Sequence, residues 1–179
     1  VAGEGDRTVS YAELYELCET LDLIVNDDWD YERAYFYFTC LLTDFLRSEG
    51  AAVISYIPDR MEEGYGLNLA AVERLAKDYR VLVTVDLGIT NHEEVRLAQR
   101  LGMRVIVTDH HGLGLEESPA DAALNPLLGD YPFRRLCGTG VAFKLAQALL
   151  GLEACREYLD LAALATVADI VPLEDENRI

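Results

Sequence analysis

No run of eighteen apolar residues occurs in the 179-residue chain, which argues against a membrane-spanning helix. Its start, VAGEGDRTVS, lacks the basic-then-apolar order of a secretory signal. Cysteine is scarce. Cys18, Cys40, Cys137 and Cys155 show no CxxC spacing and sit in apolar, helix-like surroundings, against a zinc site or a disulfide framework, so a reducing cytoplasm is the expected setting. Basic residues are few, 15 against 32 acids, for a formal charge of −17. Such a charge repels polyanions at long range and by itself counts against nucleic acid as a partner. The objection weakens where acids gather round divalent metal, because Asp and Glu are hard oxygen ligands and the cations can in turn hold phosphate. Low-complexity segments and internal repeats are missing too. With no initiator Met and an ending at ENRI, the expectation is a piece of a longer chain.

With 51% hydrophobic residues the chain can bury one sizeable core. Periodicity alternates between helical and extended. Ser10 to Thr20 carries a capping box, Ser10 with Glu13, ahead of a helical apolar pattern. Further helices are expected over Tyr35 to Ser48, closed by Gly50, over Leu69 to Tyr79, from an Asn91 cap through Leu101, over Val141 to Leu150 and over Ala154 to Val167. Strands are expected at Leu21 to Val25, Ala52 to Ile57, Val81 to Val85, Arg104 to Thr108 and Ala122 to Leu124. Alternation at this spacing implies an α/β fold, a mainly parallel twisted sheet of about five strands with helices on both faces. Such sheets bind ligands at the carboxyl ends of their strands.

That edge collects polar residues. VLVTVDLGIT, from Val81, delivers Asp86, and VIVTDHHG, from Val105, delivers Asp109, His110 and His111. Two buried strands each ending in an acid place carboxylates within reach of one cation, and imidazole adds a borderline ligand suited to manganese, iron or zinc. Asp169, in LAALATVADIVP, stands at the end of an apolar helix, where the negative dipole end disfavours an acid unless a cation is near. Gly138, Thr139 and Gly140 precede a helix and could present backbone N–H groups to an anion. His92 reads as a solvated helix residue.

VTDHHG with the upstream TVDLGIT resembles the DHH phosphoesterase superfamily, and most of all its RecJ branch of single-strand-specific exonucleases. IPDRMEEGYGL, the NP at Asn125 and Pro126, YPFRRLCGTGVAFKLAQAL and DLAALATVADIVPLEDENRI resemble RecJ blocks in the same order. The resemblance implies a DHH domain over residues 21–179 after an N-terminal helical segment 1–20, without the DHH-associated and OB domains that follow in such enzymes. It implies that Asp86, His110 and Asp169 ligate Mn²⁺ or Mg²⁺, that Asp30 with Asp28 or Glu32 completes the site of a second ion, that His111 ligates or contacts the scissile phosphate, and that Asp109 orients the histidines. It also marks Arg60 as a forked donor to phosphate, Tyr65 as a stacking surface, and Gly138, Thr139 and Gly140 as substrate-side residues. The implied activity is stepwise 5′–3′ hydrolysis of single-stranded DNA or short oligonucleotides, in repair and recombination.

One block departs from the pattern. The family reads GDYDxDGxTS where this chain has NDDWDYERAYFYFTC. Aligned from the preceding strand, Asp28 and Asp30 are kept, Glu32 replaces the third acid and Arg33 the glycine. Aligned back from the following helix, Asp30 and Glu32 are kept, Ala34 replaces the third acid and Tyr35 the glycine. Either way the glycine is lost, and with it an easy positive φ or close backbone approach. A divergent active enzyme is the expectation. A non-catalytic DHH-like scaffold and a phosphodiesterase of small substrates, oligonucleotides or cyclic dinucleotides, are the alternatives.

Overall fold

The structure, a computed structural model, describes residues 41–58 and 66–178. The expected helix Ser10 to Thr20, the strand Leu21 to Val25, the first part of the Tyr35 to Ser48 helix, and Asp28, Asp30, Glu32, Arg60 and Tyr65 lie outside the described residues.

Three strands form among the described residues: β1 (Val81–Val85), β2 (Arg104–Thr108) and β3 (Ala122–Leu124). They pair in the order β1-β2-β3, all parallel, with Val85 opposite Thr108 and Thr108 opposite Leu124. Runs such as VLVTV and RVIVT suit this place, because β-branched side chains pack well on a pleated surface covered on both sides. The pleat divides them. Val83 and Val85 join one core cluster with Leu41, Leu42, Phe45, Phe143 and Tyr158, while Leu82, Val105 and Val107 join the other with Val72, Val95 and Met103.

Helices α1 (41–48), α4 (Gly138–Leu150) and α6 (Leu159–Ala168) belong to the first cluster. Helices α2 (Leu69–Leu75) and α3 (His92–Arg100) belong to the second, and a short α5 (Leu152–Cys155) leads to α6. Helices thus cover both faces of the sheet, as alternation required. No helix among the described residues is long and apolar enough to cross a membrane.

Several boundaries differ from the sequence reading. Ala52 to Ile57 forms no strand: the run has the β-branched composition of one, but it finds no ladder among the described residues, and the Arg47 guanidinium donates to the Val53 carbonyl instead. α2 stops at Leu75 because the bonds from Lys77 and Asp78 tighten to the third residue back, and Arg80 donates to the freed Ala76 carbonyl. The single helix expected over Ala154 to Val167 is interrupted by a 3₁₀ turn, Arg156–Tyr158, which turns Cys155 and Tyr158 to the same side and buries both. α4 begins at Gly138, so the glycine loop is the helix's first turn. Asn91 occupies the N-cap of α3, but its amide donates to the Leu67 carbonyl across the gap rather than capping. His92 is half-buried and faces Glu116, not solvated.

Candidate metal centre

The parallel ladder extends one residue past the strands on each side of β2. The Asp86 N–H donates to the Thr108 carbonyl at 2.9 Å and the Asp109 N–H to the Leu124 carbonyl at 3.0 Å, so both acids are fixed at the carboxyl edge. Asp86 then turns the chain at φ 66, a conformation that L residues other than Asn, Asp and Gly seldom adopt. The turn closes tightly. At Gly88, φ 111, a Cβ would come within 2.7 Å of the Thr84 hydroxyl, so this position requires glycine.

Asp109 organises the two histidines after it. It is 1% exposed; one carboxylate oxygen accepts the Ile89 N–H at 2.9 Å. The other accepts the His110 N–H at 2.8 Å, the His111 N–H at 3.1 Å and the His111 ring Nδ1 at 2.7 Å. With its Nδ1 proton held by Asp109, His111 keeps the Nε2 lone pair for a cation or its Nε2 edge for a phosphate. Asn125 supports the same turn, donating to the His111 carbonyl at 2.9 Å.

The ligand atoms converge. His110 Nε2 lies 3.0 Å from Asp86 Oδ1 and 3.3 Å from Asp169 Oδ2, Asp169 being the C-cap of α6. Ligand atoms of Asp86, His110 and His111 all fall within 4.8 Å of one another. Although these contacts are short, Asp86 Oδ1, His110 Nε2 and Asp169 Oδ2 are buried atoms with no hydrogen bond of acceptable angle. Buried polar atoms are nearly always satisfied, so three orphans pointing together mark a place built for something they would jointly hold. Two carboxylate oxygens and an imidazole nitrogen fit a divalent cation of the manganese type.

The glycine loop meets this cluster from the side. All of Gly138, Thr139 and Gly140 are buried, and a Cβ at Gly138 would overlap the Asp86 carboxylate. Gly140 does not offer its N–H to an anion, because that group donates to Cys137 Sγ at 3.3 Å. Cys137, the N-cap of α4, also lies 3.6 Å from Thr166 Oγ1 on α6, and burial pushes its thiol pKa up. The Thr139 hydroxyl is buried without a partner. Cys137, Thr166 and Asn125 lie inside blocks that resemble the family, but nothing in their local sequence names the contacts they make, Asn125 with His111 and Cys137 with Thr166.

The cluster's protonation follows from its burial and charge. Burial alone would lower the His110 pKa, but the close approach of the Asp86 carboxylate and the charges of Asp86, Asp169 and Asp109 outweigh it, leaving the value above the ordinary 6.5. Burial raises Asp169, reinforced by Asp86 and opposed by His110 and His111. A raised folded pKa means that stability is present below the unfolded value and lost as pH rises through the folded one. A cation replaces the proton, so its binding strengthens over the same rise. In EDTA the melting temperature should therefore fall as pH rises past the ordinary histidine value of 6.5, and the gain on adding Mn²⁺ should be larger at the higher pH. A gain that does not grow with pH removes His110 from the ligand set.

Known proteins resemble this chain over most of its length. The DHH family, N-terminal domain, matches residues 12–166. The single-stranded-DNA-specific exonuclease RecJ of Bacillus subtilis (strain 168) is 45% identical over 153 residues, covering 84% of this chain and 19% of that protein. A crystal structure of exonuclease RecJ bound to manganese superposes with a TM-score of 0.73 at 41% identity, covering 79% of this chain and 37% of the other. The structure of RecJ in complex with Mn²⁺ from Thermus thermophilus gives 0.69 at 37% identity, covering 83% and 22%. The chain thus spans well under half the length of the relatives it matches.

Proposed function

The chain belongs to the DHH family, and from that premise we propose that it is the metal-holding domain of a RecJ-like exonuclease, hydrolysing phosphodiester bonds of single-stranded DNA from the 5′ end. The observation that carries the reading is the convergence of Asp86 Oδ1, His110 Nε2 and Asp169 Oδ2, buried and without hydrogen bonds. In this proposal Asp86, His110 and Asp169 hold one Mn²⁺ or Mg²⁺, and Asp30, with Asp28 or Glu32, completes a second position. When bound, such ions neutralise charge on the phosphoryl oxygens and lower the pKa of an attacking water. Asp109 fixes the His111 ring so that its outer nitrogen faces the phosphate. Arg60 grips phosphate by its forked donors, Tyr65 stacks a base, and the Gly138, Thr139 and Gly140 turn forms the floor against Asp86.

The division at residue 21 between an N-terminal segment and the DHH domain is part of the same proposal. A cytoplasmic setting fits the buried, unpaired Cys137 and Cys155. The strongly negative chain reaches a polyanion only through its cations, so binding to DNA without divalent metal should be weak.

The test is release of mononucleotides from 5′-labelled single strands in Mn²⁺, by the parent and by His110→Ala. Mononucleotides released by the parent, with at least about a hundredfold loss in the variant, are expected, since the ion that His110 would help to hold contributes several kcal/mol to stabilising transition-state charge. No release by either protein, with Mn²⁺ still bound, favours the scaffold reading and the altered first motif behind it. Turnover of dinucleotides but not of long strands favours the small-substrate phosphodiesterase.

A further inference from the structure

We propose that Glu176 is a positioning residue of the metal centre: by gripping Tyr131 and Lys144 it fastens the backbone that leaves Asp169 and so sets where that carboxylate stands. The inference rests on the metal-centre reading above and adds a residue to it.

The chain leaves Asp169 through Ile170, at φ 53, a region that β-branched residues avoid. A strained backbone of this kind persists only where its surroundings over-determine it. Ile170 cannot supply the hold itself, because its side chain is 80% exposed. The hold comes from downstream. Val171 packs against the first core cluster, and the Asn177 amide donates to the Pro172 carbonyl at 2.9 Å and to the Arg135 carbonyl at 2.7 Å. Glu174 pairs with Arg135 at 2.9 Å, but both are more than half exposed, so that pair is screened.

Glu176 makes the more enclosed fastening. Its carboxylate accepts the Tyr131 hydroxyl at 2.9 and 3.0 Å and faces Lys144 Nζ at 2.6 Å, with the Glu176 side chain 20% exposed. Burial, with Glu176 beside it, pushes the Tyr131 hydroxyl up to about 12, so it remains a donor throughout the working range. Lys144 lies on α4, the helix whose Gly138 abuts Asp86. The contacts therefore close a ring: Asp86 to α4, α4 through Lys144 to Glu176, Glu176 through the 170–175 backbone to Asp169, and Asp169 through His110 back to Asp86. Loosening the ring at Glu176 frees the Asp169 wall of the site while changing none of the ligand residues.

A purely structural clamp would change melting temperature and nothing else once the protein is folded. Positioning changes the affinity of the folded protein for metal, read as the loss of the free Mn²⁺ electron paramagnetic resonance signal on titration. Glu176→Gln should weaken Mn²⁺ binding by about tenfold, in the range seen when groups supporting metal ligands are removed. Tyr131→Phe, which deletes one hydroxyl and keeps both charges, should weaken it less and in the same direction. Glu153→Gln breaks an exposed pair with Arg156 and removes the same unit of charge, and should leave binding unchanged. If Glu176→Gln fails to fold, Tyr131→Phe decides. Parental binding by both variants, or equal weakening by Glu153→Gln, overturns the proposal while the metal centre stands. A parent that holds no Mn²⁺ overturns both.

Discussion

Asp86→Asn should lower Mn²⁺-dependent hydrolysis of single-stranded DNA by about a thousandfold and leave the melting temperature within a few degrees of the parent's. The rate loss corresponds to about 4 kcal/mol, the scale on which a divalent ion and its anionic ligands stabilise phosphoryl charge. Stability should survive for reasons specific to this position. Asp86 sits at φ 66, and asparagine is the residue besides glycine and aspartate most at ease there. It is 5% exposed and shares His110 with Asp169, so the parent buries like charges that Asn relieves.

Measuring melting temperature in EDTA beside the rate separates the two effects. A variant that melts within a few degrees of the parent and has lost its activity places Asp86 on the metal. Activity within about tenfold of the parent would instead mean that Asp86 is only a turn-former at the end of β1. A collapse of the melting temperature by more than about 10 °C, on the order of 3 kcal/mol or more for a chain this size, would mean that the buried charge was tied to the fold in a way the geometry does not explain.

Asp86 and the Asp109, His110, His111 triplet were legible in the sequence because each follows an apolar run short enough to be a strand, and parallel sheets aim such ends at one edge. Asp169 was legible for a different reason, as an acid at the wrong end of a helix dipole, and it lands beside His110. What escaped the sequence were relations set by tertiary pairing. Ala52 to Ile57 looks like a strand in composition, yet a strand is defined by a partner, which the residues themselves do not name. The 3₁₀ break at Arg156 to Tyr158, with Cys155 and Tyr158 both buried, leaves no mark in a local sequence whose helical periodicity runs straight through it. Glu176 finds Tyr131 45 residues back in the chain, so its local context, LEDENR, reads only as a polar turn.

The glycine turn shows how a motif read correctly can carry a different physical meaning, and Gly138→Ala tests that meaning. In an ordinary helix, alanine for glycine stabilises by about 0.5–1 kcal/mol. Here the sign should reverse. A Cβ on Gly138 would fall inside the Asp86 side chain, with Asp86 Cγ only 2.6 Å away. Neither partner can retreat easily: Gly138 is packed with Val141 and Ala142 in a buried first turn, and Asp86 is held by its ladder bond to Thr108. Overpacking of this kind costs about 1–3 kcal/mol, or roughly 2–12 °C of melting temperature in a domain of this size. The displaced carboxylate should also leave His110, so Mn²⁺ affinity falls with it. Gly140→Ala is the matched comparison in the same turn, because its Cβ would meet chiefly Leu136 Cδ2 at 3.3 Å and Leu136 Cβ at 3.4 Å. The flexible end of that leucine can shift by a few tenths of an ångström, so stability and Mn²⁺ affinity should stay near the parent's. Equal losses in the two variants would undo the steric account. Loss of DNA binding in Gly140→Ala alone, with Mn²⁺ still held, would restore the anion-presenting role that the Gly140 bond to Cys137 argues against.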